Sequence, residues 1–360
     1  MKKRLKVLLL FNTPYPTPRG YDFKEEFADP ENMYTENDVY QALLDNGFQV
    51  SLLGIHDDIL PLLEEVKEFQ PDIVFNLAEV FADKTHFDKN IGALLELLGL
   101  PYTGASSEAL FICNDKSLSK KIFRFHRLRV ARFHTFYRGH KVWRPSTIRL
   151  PAIIKPLGEE ASRGISQASV VDSDEAFVER IRFIHENMKL DAIAEEYIEG
   201  RELYVSVLGN KRLTVLPPRE IKFGQLPEDE PRIATYKAKW DDKYRDRWGI
   251  KSVFAGKLAD GVQERIEDVC KRAYRALNMK SYIRFDIRVT TEGKVYIIEP
   301  NANPCIARID ELAQSAEKVG ISYPQLIRKI IIMAMPKTVS PKKNHKNGKS
   351  GKNGKNGKDS

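Results

Sequence analysis

Residues 7–11 form an apolar run without alternation, inside a segment 5–11 that reads as a strand buried on both faces. Residues 13–32 then hold four prolines and read as a long loop. A 3.6-residue apolar period over 35–45 predicts a helix, closed by Asn46-Gly47. A strand at 48–53, a helix at 60–69 and a third strand at 73–77 follow. Alternation at this spacing implies an open parallel α/β sheet. Such sheets meet ligands at the carboxyl ends of their strands, which here means Asn12, Thr13 and the segment from Asn76 to Glu79.

Further on, a helix stops at Gly99, a short strand runs into Gly104, and a new helix opens at Asp115, where an acid suits the dipole. Residues 152–156 read as a strand that carries Lys155 near its end. The small-residue loop that follows, through Gly164, suits a phosphate-binding flap. Residues 193–208 read as two strands with a turn at Gly200, and Glu195, Glu196 and Glu202 along them suit either an adenosine or plain solvation. The polar stretch 232–258 has no clear period and reads as a functional or mobile loop. Val262, Ile266, Val269, Ala273 and Leu277 mark an amphipathic helix over 261–277, and a last helix spans 323–335 before Pro336.

Two apolar runs flank Thr290-Thr291-Glu292-Gly293 and predict a β-hairpin. Ile283, Phe285, Ile287 and Val289 share one face of its first strand, and Arg284, Asp286 and Arg288 the other. Glu299 and Asn301 share a face of the second. Paired in register, Asp286, Glu299 and Asn301 bring three hard oxygen donors together beside Arg284. Such a partial shell leaves positions for water and phosphate oxygens, as Mg²⁺ requires in phosphoryl transfer. The same pattern also suits an ordinary hairpin with a solvated polar face.

Composition narrows the class. A chain of 360 residues, 42 % hydrophobic, is long enough for two or three domains, and no apolar run reaches membrane-spanning length. The basic start imitates a signal peptide, but its apolar core is too short and lacks a small-residue cleavage pattern. Cys113, Cys270 and Cys305 are odd in number and widely spaced, giving neither a disulfide framework nor a zinc motif, so a reducing cytoplasm is expected. The net charge of +8 comes almost wholly from residues 337–360, where eight lysines face one aspartate. That tract cannot bury a core and is expected to be a disordered Lys/Asn/Gly tail. The remainder gives no reason to expect a specific nucleic-acid partner.

In chain order, Leu98-Gly-Leu-Pro-Tyr-Thr-Gly104, Asp115-Lys116, Ile154-Lys155-Pro156, Glu195 through Gly200-Arg201-Glu202, Tyr236-x-Ala-Lys239, Arg284-x-Asp286 and Glu299-x-Asn301 resemble D-alanine–D-alanine ligase and related carboxylate–amine ligases of the ATP-grasp family. The resemblance covers residues 1–335. It implies an α/β ATP-grasp fold: an N-terminal open parallel α/β domain at 1–113, then two α+β subdomains, 114–203 and 204–336, that sandwich ATP. It also implies roles. Lys116, Lys155 and the flap residue Ser162 would contact ATP, Glu195 with Glu196 to Ile198 would hold adenine, and Glu202 the ribose. Lys239 would reach the transferred phosphate, Arg284 would stabilise the transition state, and Asp286, Glu299 and Asn301 would bind two Mg²⁺ ions, with Mn²⁺ a substitute. The reaction would join a small-molecule carboxylate to an amine, both amino-acid-like, through an acyl phosphate. A homodimer is suggested by the same resemblance.

The departures cluster where the substrate amino acid would sit. The family's Glu, Ser and Tyr network over the first D-alanine is absent: its glutamate motif gives way to the proline-rich loop, its serine to Ala161 and its tyrosine to Trp240. The family's His-Gly after the third strand is replaced by the segment ending in Glu79, the oxyanion-hole glycine by Cys305, and the serine that binds the acceptor's carboxylate by Asp310. A carboxylate facing a carboxylate is costly when desolvated, so the expected acceptor is not D-alanine. Asp310 or Glu79 is expected to face a cationic group, unless Asp310 only caps a helix near 309–313. Two other readings stay open: a true D-alanine–D-alanine ligase, and a non-catalytic Mg-ATP-binding regulatory protein.

Overall fold

The structure, a computed structural model, describes residues 4–29, 32–159, 162–227 and 230–336; the lysine-rich tail and Ala161 lie outside them. The described strands form three sheets. The first comprises β1 (Lys6–Asn12), β2 (Gln49–Ile55) and β3 (Ile73–Asn76), in the order β2-β1-β3 and all parallel. The run 7–11 lacks alternation because both of its faces are covered. Val7, Leu9 and Phe11 join one core with the helix Tyr34–Asp45, while Leu8 and Leu10 join another with Leu62, Ile91 and Leu95. The helix Tyr323–Ala334, last in the described chain, returns to the first of these cores through Leu326, Ile327, Ile330 and Ile331.

The second sheet holds β4 (Phe133–Phe136), β5 (Ala152–Pro156), β6 (Val170–Val171) and β7 (Ala192–Glu196), in the antiparallel order β4-β7-β5-β6. The third holds β8 (Arg201–Gly209), β9 (Leu213–Val215), β10 (Arg219–Phe223), β11 (Ile250–Phe254), β12 (Tyr282–Val289) and β13 (Val295–Asn301). Its order is β11-β10-β8-β12-β13, with β9 on β8. Thus β7 and β8, consecutive in sequence, belong to different sheets. Gly200 makes the passage at φ +145°, where a Cβ would lie 2.3 Å from the Val289 carbonyl oxygen. The apolar face of β12 packs Ile283, Phe285, Ile287 and Val289 against Ile266, Cys270 and Ala273 of the helix Val262–Ala276, which leaves the opposite face for chemistry.

Two stretches expected to be irregular contain regular elements. Residues 13–32 contain the helix Lys24–Ala28, held because Phe23 and Phe27 pack on Phe11 of β1, with Phe23 centroid to centroid at 4.8 Å. Residues 232–258 contain the helices Tyr236–Trp240 and Asp242–Trp248, N-capped by Thr235 and Asp241, and then β11. β11 is a strand because β10, far back in sequence, supplies its hydrogen bonds. No helix among the described residues is long and apolar enough to cross a membrane.

Candidate active site

The hairpin β12–β13 pairs Asp286 opposite Glu299 and Arg284 opposite Asn301, with a register shift just after Asp286. Asn301 Nδ2 donates to Asp286 Oδ1 at 3.0 Å, so three of the expected donors are in one cluster. Arg284 grips Asp286 with Nε at 2.8 Å and Nη2 at 3.3 Å, and its Nη1 lies 3.6 Å from Glu311 Oε2. Lys239 Nζ approaches Asp286 Oδ2 at 3.8 Å from the helix Tyr236–Trp240, and Lys116 Nζ approaches Glu299 Oε2 at 3.8 Å from the start of the helix Lys116–Phe125. Burial alone would raise the Glu299 carboxyl; Lys116, Lys239, Lys155 and Arg284 overcome it and hold it at about 2. No group of three or more His, Cys, Asp or Glu among the described residues is placed to hold a metal ion. Two carboxylates and an amide oxygen still fit a Mg²⁺ that takes most of its ligands from water and phosphate.

A second cleft opens between the two antiparallel sheets. Lys155 and Glu195 point into it from β5 and β7, Glu202 and Arg288 from β8 and β12, and Ile153 and Ile298 give it apolar walls. Glu195 is engaged by Lys120 at 3.3 Å and Lys155 at 3.5 Å. Burial pushes its carboxyl up, and the two lysines outweigh that and leave it below the ordinary value. Glu202 is paired with Arg288 at 2.8 Å. Arg288 also donates to the carbonyls of Ile198 and Gly200, fixing the passage between sheets. Glu196 accepts a weak bond from the Arg149 N–H at 3.4 Å. The cleft encloses only about 60 Å³, far below the roughly 300 Å³ at which small-molecule sites begin. The flap is closed on it: Ser162, in the left-handed region at φ +61°, donates to the Ala234 carbonyl at 2.7 Å, and the Tyr236 N–H to the Ile165 carbonyl at 3.1 Å.

Beyond the metal cluster lies a cavity of about 920 Å³, lined by Lys116, Lys239, Arg284 and Glu299 at one part of its wall, and by Glu79, Cys305 and Asp310 at another. Asp310 stands at the N-cap position of the helix Glu311–Lys318 but makes no capping bond there. Its Oδ2 is buried with no hydrogen-bond partner among the described residues, and the Cys305 thiol lies 3.4 Å from Thr35 Oγ1. Burial pushes the Asp310 carboxyl up. The Tyr34 phenol records the local charge: burial, then Cys305, Asp310, Glu36 and Glu79, push it up to about 12. Asn12, expected near a ligand, instead clamps the loop, its Oδ1 accepting from the N–H groups of Glu79 at 2.6 Å and Val80 at 2.8 Å. Asn12, Thr13 and Asn76 do not line the cavity; Ala78 and Glu79 do.

Among the residues at the site that the sequence did not single out are Lys120, Arg288 as a clamp, and Tyr34. Lys120 carried a signal, because Lys116, Lys120 and Phe123 fall at i, i+4 and i+7, and Phe123 is core. A lysine on the apolar stripe of a helix needs a buried anion. The Arg288 and Tyr34 roles depend on the neighbouring strands and carried no such signal.

The family model described as D-ala D-ala ligase C-terminus matches residues 122–332. A D-alanine–D-alanine ligase of Desulfotalea psychrophila is 30 % identical over 258 residues, covering 71 % of this chain and 76 % of its own. An uncharacterized protein, y4sG of Sinorhizobium fredii, is 28 % identical over 333 residues, 91 % of this chain and 93 % of its own. Among solved structures, D-alanine–D-alanine ligase from Bacillus anthracis complexed with ATP superposes with a TM-score of 0.68 at 20 % identity, over 92 % of this chain and 97 % of that one. The sheet order, the buried lysines around Glu195 and the Asp286–Glu299–Asn301 cluster thus sit on a fold and sequence shared with these proteins, and the chain belongs to the D-alanine–D-alanine ligase family as an ATP-grasp ligase that forms C–N bonds.

Proposed function

We propose that the protein joins an amino-acid-like carboxylate to an amine at the expense of ATP, and that its acceptor is not D-alanine. The observation that carries the second half is Asp310, which lines the cavity and has one buried carboxylate oxygen without a partner among the described residues.

In this reading the donor carboxylate attacks the γ-phosphate of ATP, ADP departs, and an amine then attacks the acyl carbon and expels phosphate. Lys116, Lys155 and Lys239 neutralise the phosphates, Lys239 from the helix beneath the closed flap. Glu195 and the strand end to Ile198 take the adenine, Glu202 the ribose, and Ser162 shuts the flap. Asp286, Glu299 and Asn301 would hold two Mg²⁺ ions, which neutralise charge on the transferred phosphoryl group when bound. Arg284, pinned by Asp286 and Glu311, faces the developing negative charge on the acyl centre. The Cys305 backbone N–H would serve as the oxyanion donor, and the closed flap would keep water from the acyl phosphate.

The relatives named as D-alanine–D-alanine ligases support the bond-forming chemistry. Asp310 and Glu79 argue for a substrate that brings a cation, an ammonium or a guanidinium, to their part of the cavity, since an amino acid's carboxylate placed against Asp310 costs several kcal/mol. The test is ADP release from Mg-ATP over a panel of amino acids and amines. A basic acceptor is expected to lead; D-alanine as the best acceptor overturns the substrate assignment, and no release with any amine overturns the ligase reading for a nucleotide-binding one.

A further inference from the structure

Arg219 is the first residue of β10 and lines the 920 Å³ cavity together with Ile221, two residues on, while Glu220 between them turns away to pair with Arg201. The Arg219 residue is 8 % exposed, and among the described residues it takes part in no ion pair. A buried arginine normally has a carboxylate against it, because an uncompensated charge is expensive away from water. Here Nη2 donates to the Ser252 carbonyl at 2.8 Å and to Ser252 Oγ at 3.4 Å, and the guanidinium lies over the Phe254 ring at 4.5 Å. Nε is buried and, among the described residues, without a hydrogen-bond partner.

The nearest acid is already committed. Glu311 Oε1 accepts from Ser252 Oγ at 3.4 Å, and its Oε2 is 3.6 Å from Arg284. Arg219 therefore reaches Glu311 through the serine hydroxyl, and one carboxylate serves two guanidinium groups. Arg284's other partner, Asp286, belongs to the expected metal cluster. The pairing leaves a surplus of positive charge at Arg219, on a planar fork suited to an incoming carboxylate.

We infer that Arg219 is the anchor for a non-reacting carboxylate of the substrate, so that the cavity takes α-amino acids whose carboxylate sits on Arg219 and whose cationic group sits toward Asp310. This rests on the cavity being the substrate pocket of the ligase proposed above. It also resolves a difficulty of that reading: Asp310 repels an acceptor's carboxylate, and Arg219 supplies the cation that such a group needs. Simple amines lack the group that Arg219 binds, and small acids lack the group that Asp310 binds.

The probes are L-lysine, D-lysine and the two corresponding lysinamides, titrated against the full chain with Mg²⁺ and a non-hydrolysable ATP analogue, with binding followed calorimetrically. Wild type is expected to bind lysine of one hand at least about tenfold more tightly than its amide, the scale of one charge-assisted contact. Arg219→Gln should erase that preference and leave analogue binding unchanged, and Arg219→Lys, which keeps the charge but not the fork, should restore part of it. The proposal is overturned if Arg219→Gln retains the preference, or if wild type binds acid and amide alike; the second comparison needs no variant to fold. Failure of the ligase reading has a different signature: Arg219-dependent binding of the acid with no ADP released from ATP across the same probes.

Discussion

The Lys120 ammonium lies 3.3 Å from the Glu195 carboxylate, with both side chains only 2 % exposed. The same ammonium donates to the Ile298 carbonyl at 2.6 Å, next to Glu299 on β13. One buried lysine therefore joins the strand expected to hold adenine to the strand expected to hold metal. Lys120→Met should leave Glu195 with Lys155 alone and cost roughly 3 kcal/mol, the lower end for a broken buried pair. Urea unfolding measures this, and Glu195→Gln added to Lys120→Met should recover part of the loss. A cost below about 1 kcal/mol would mean that the pair carries little of the fold.

The pH dependence of stability follows from Glu195. Its folded-state pKa is depressed, because Lys120 and Lys155 outweigh burial. The unfolded chain therefore takes up the proton first as pH falls, and the contribution, complete above the ordinary glutamate value of about 4.3, is lost as pH drops through the lower folded value. The stability advantage of wild type over Glu195→Gln should be constant from pH 6 to about 5 and shrink below about 4. An advantage that grows on acidification would reverse the assigned direction.

Asp286→Asn and Glu299→Gln each remove one carboxylate from the facing pair on β12 and β13. ADP formation should fall by at least about 10³-fold in either variant, the scale of losing a charge-stabilising group in the transition state. Asp286→Asn should unfold within a few degrees of wild type, since burial already disfavours the Asp286 charge, whereas Glu299→Gln should unfold at a lower temperature, because it strands the lysines and the arginine that hold Glu299 ionised. Normal turnover by either variant would remove it from the metal set.

The Ser162 hydroxyl closes the flap through a single bond to the Ala234 carbonyl. Ser162→Ala should raise KM for ATP about fivefold, corresponding to the roughly 1 kcal/mol of one hydrogen bond, and leave kcat for a bound substrate close to wild type. Steady-state kinetics at varied ATP decide it. An unchanged KM would assign closure to the Tyr236–Ile165 backbone bond alone.

Where sequence expectation and structure part, the cause is the same each time. The helix Lys24–Ala28 and strand β11 were not visible because their stability comes from Phe11 and from β10, distant in sequence. Periodicity reports the face that an element buries only when its own residues supply the pattern. Lys120 was half visible, since its place on an apolar stripe marked it as buried but could not name Glu195 as its partner. Arg219 was invisible: an arginine at the start of a polar strand looks solvated until its neighbours close over it.

The sequence alone determined the parallel first sheet, the two-sided burial of β1, and the hairpin that faces Asp286 with Glu299, because strand period and turn chemistry are local. It also determined the family, through short motifs kept in order. Tertiary structure decided that the helix Tyr323–Ala334 returns to the first sheet, and that β7 and β8 part into different sheets. It also decided that, among the described residues, Asp310 keeps one oxygen unpartnered and Arg219 is buried without an ion-pair partner. Those facts depend on which surfaces exclude water from which charges, and a charge's surroundings are a property of the folded neighbourhood rather than of the residue.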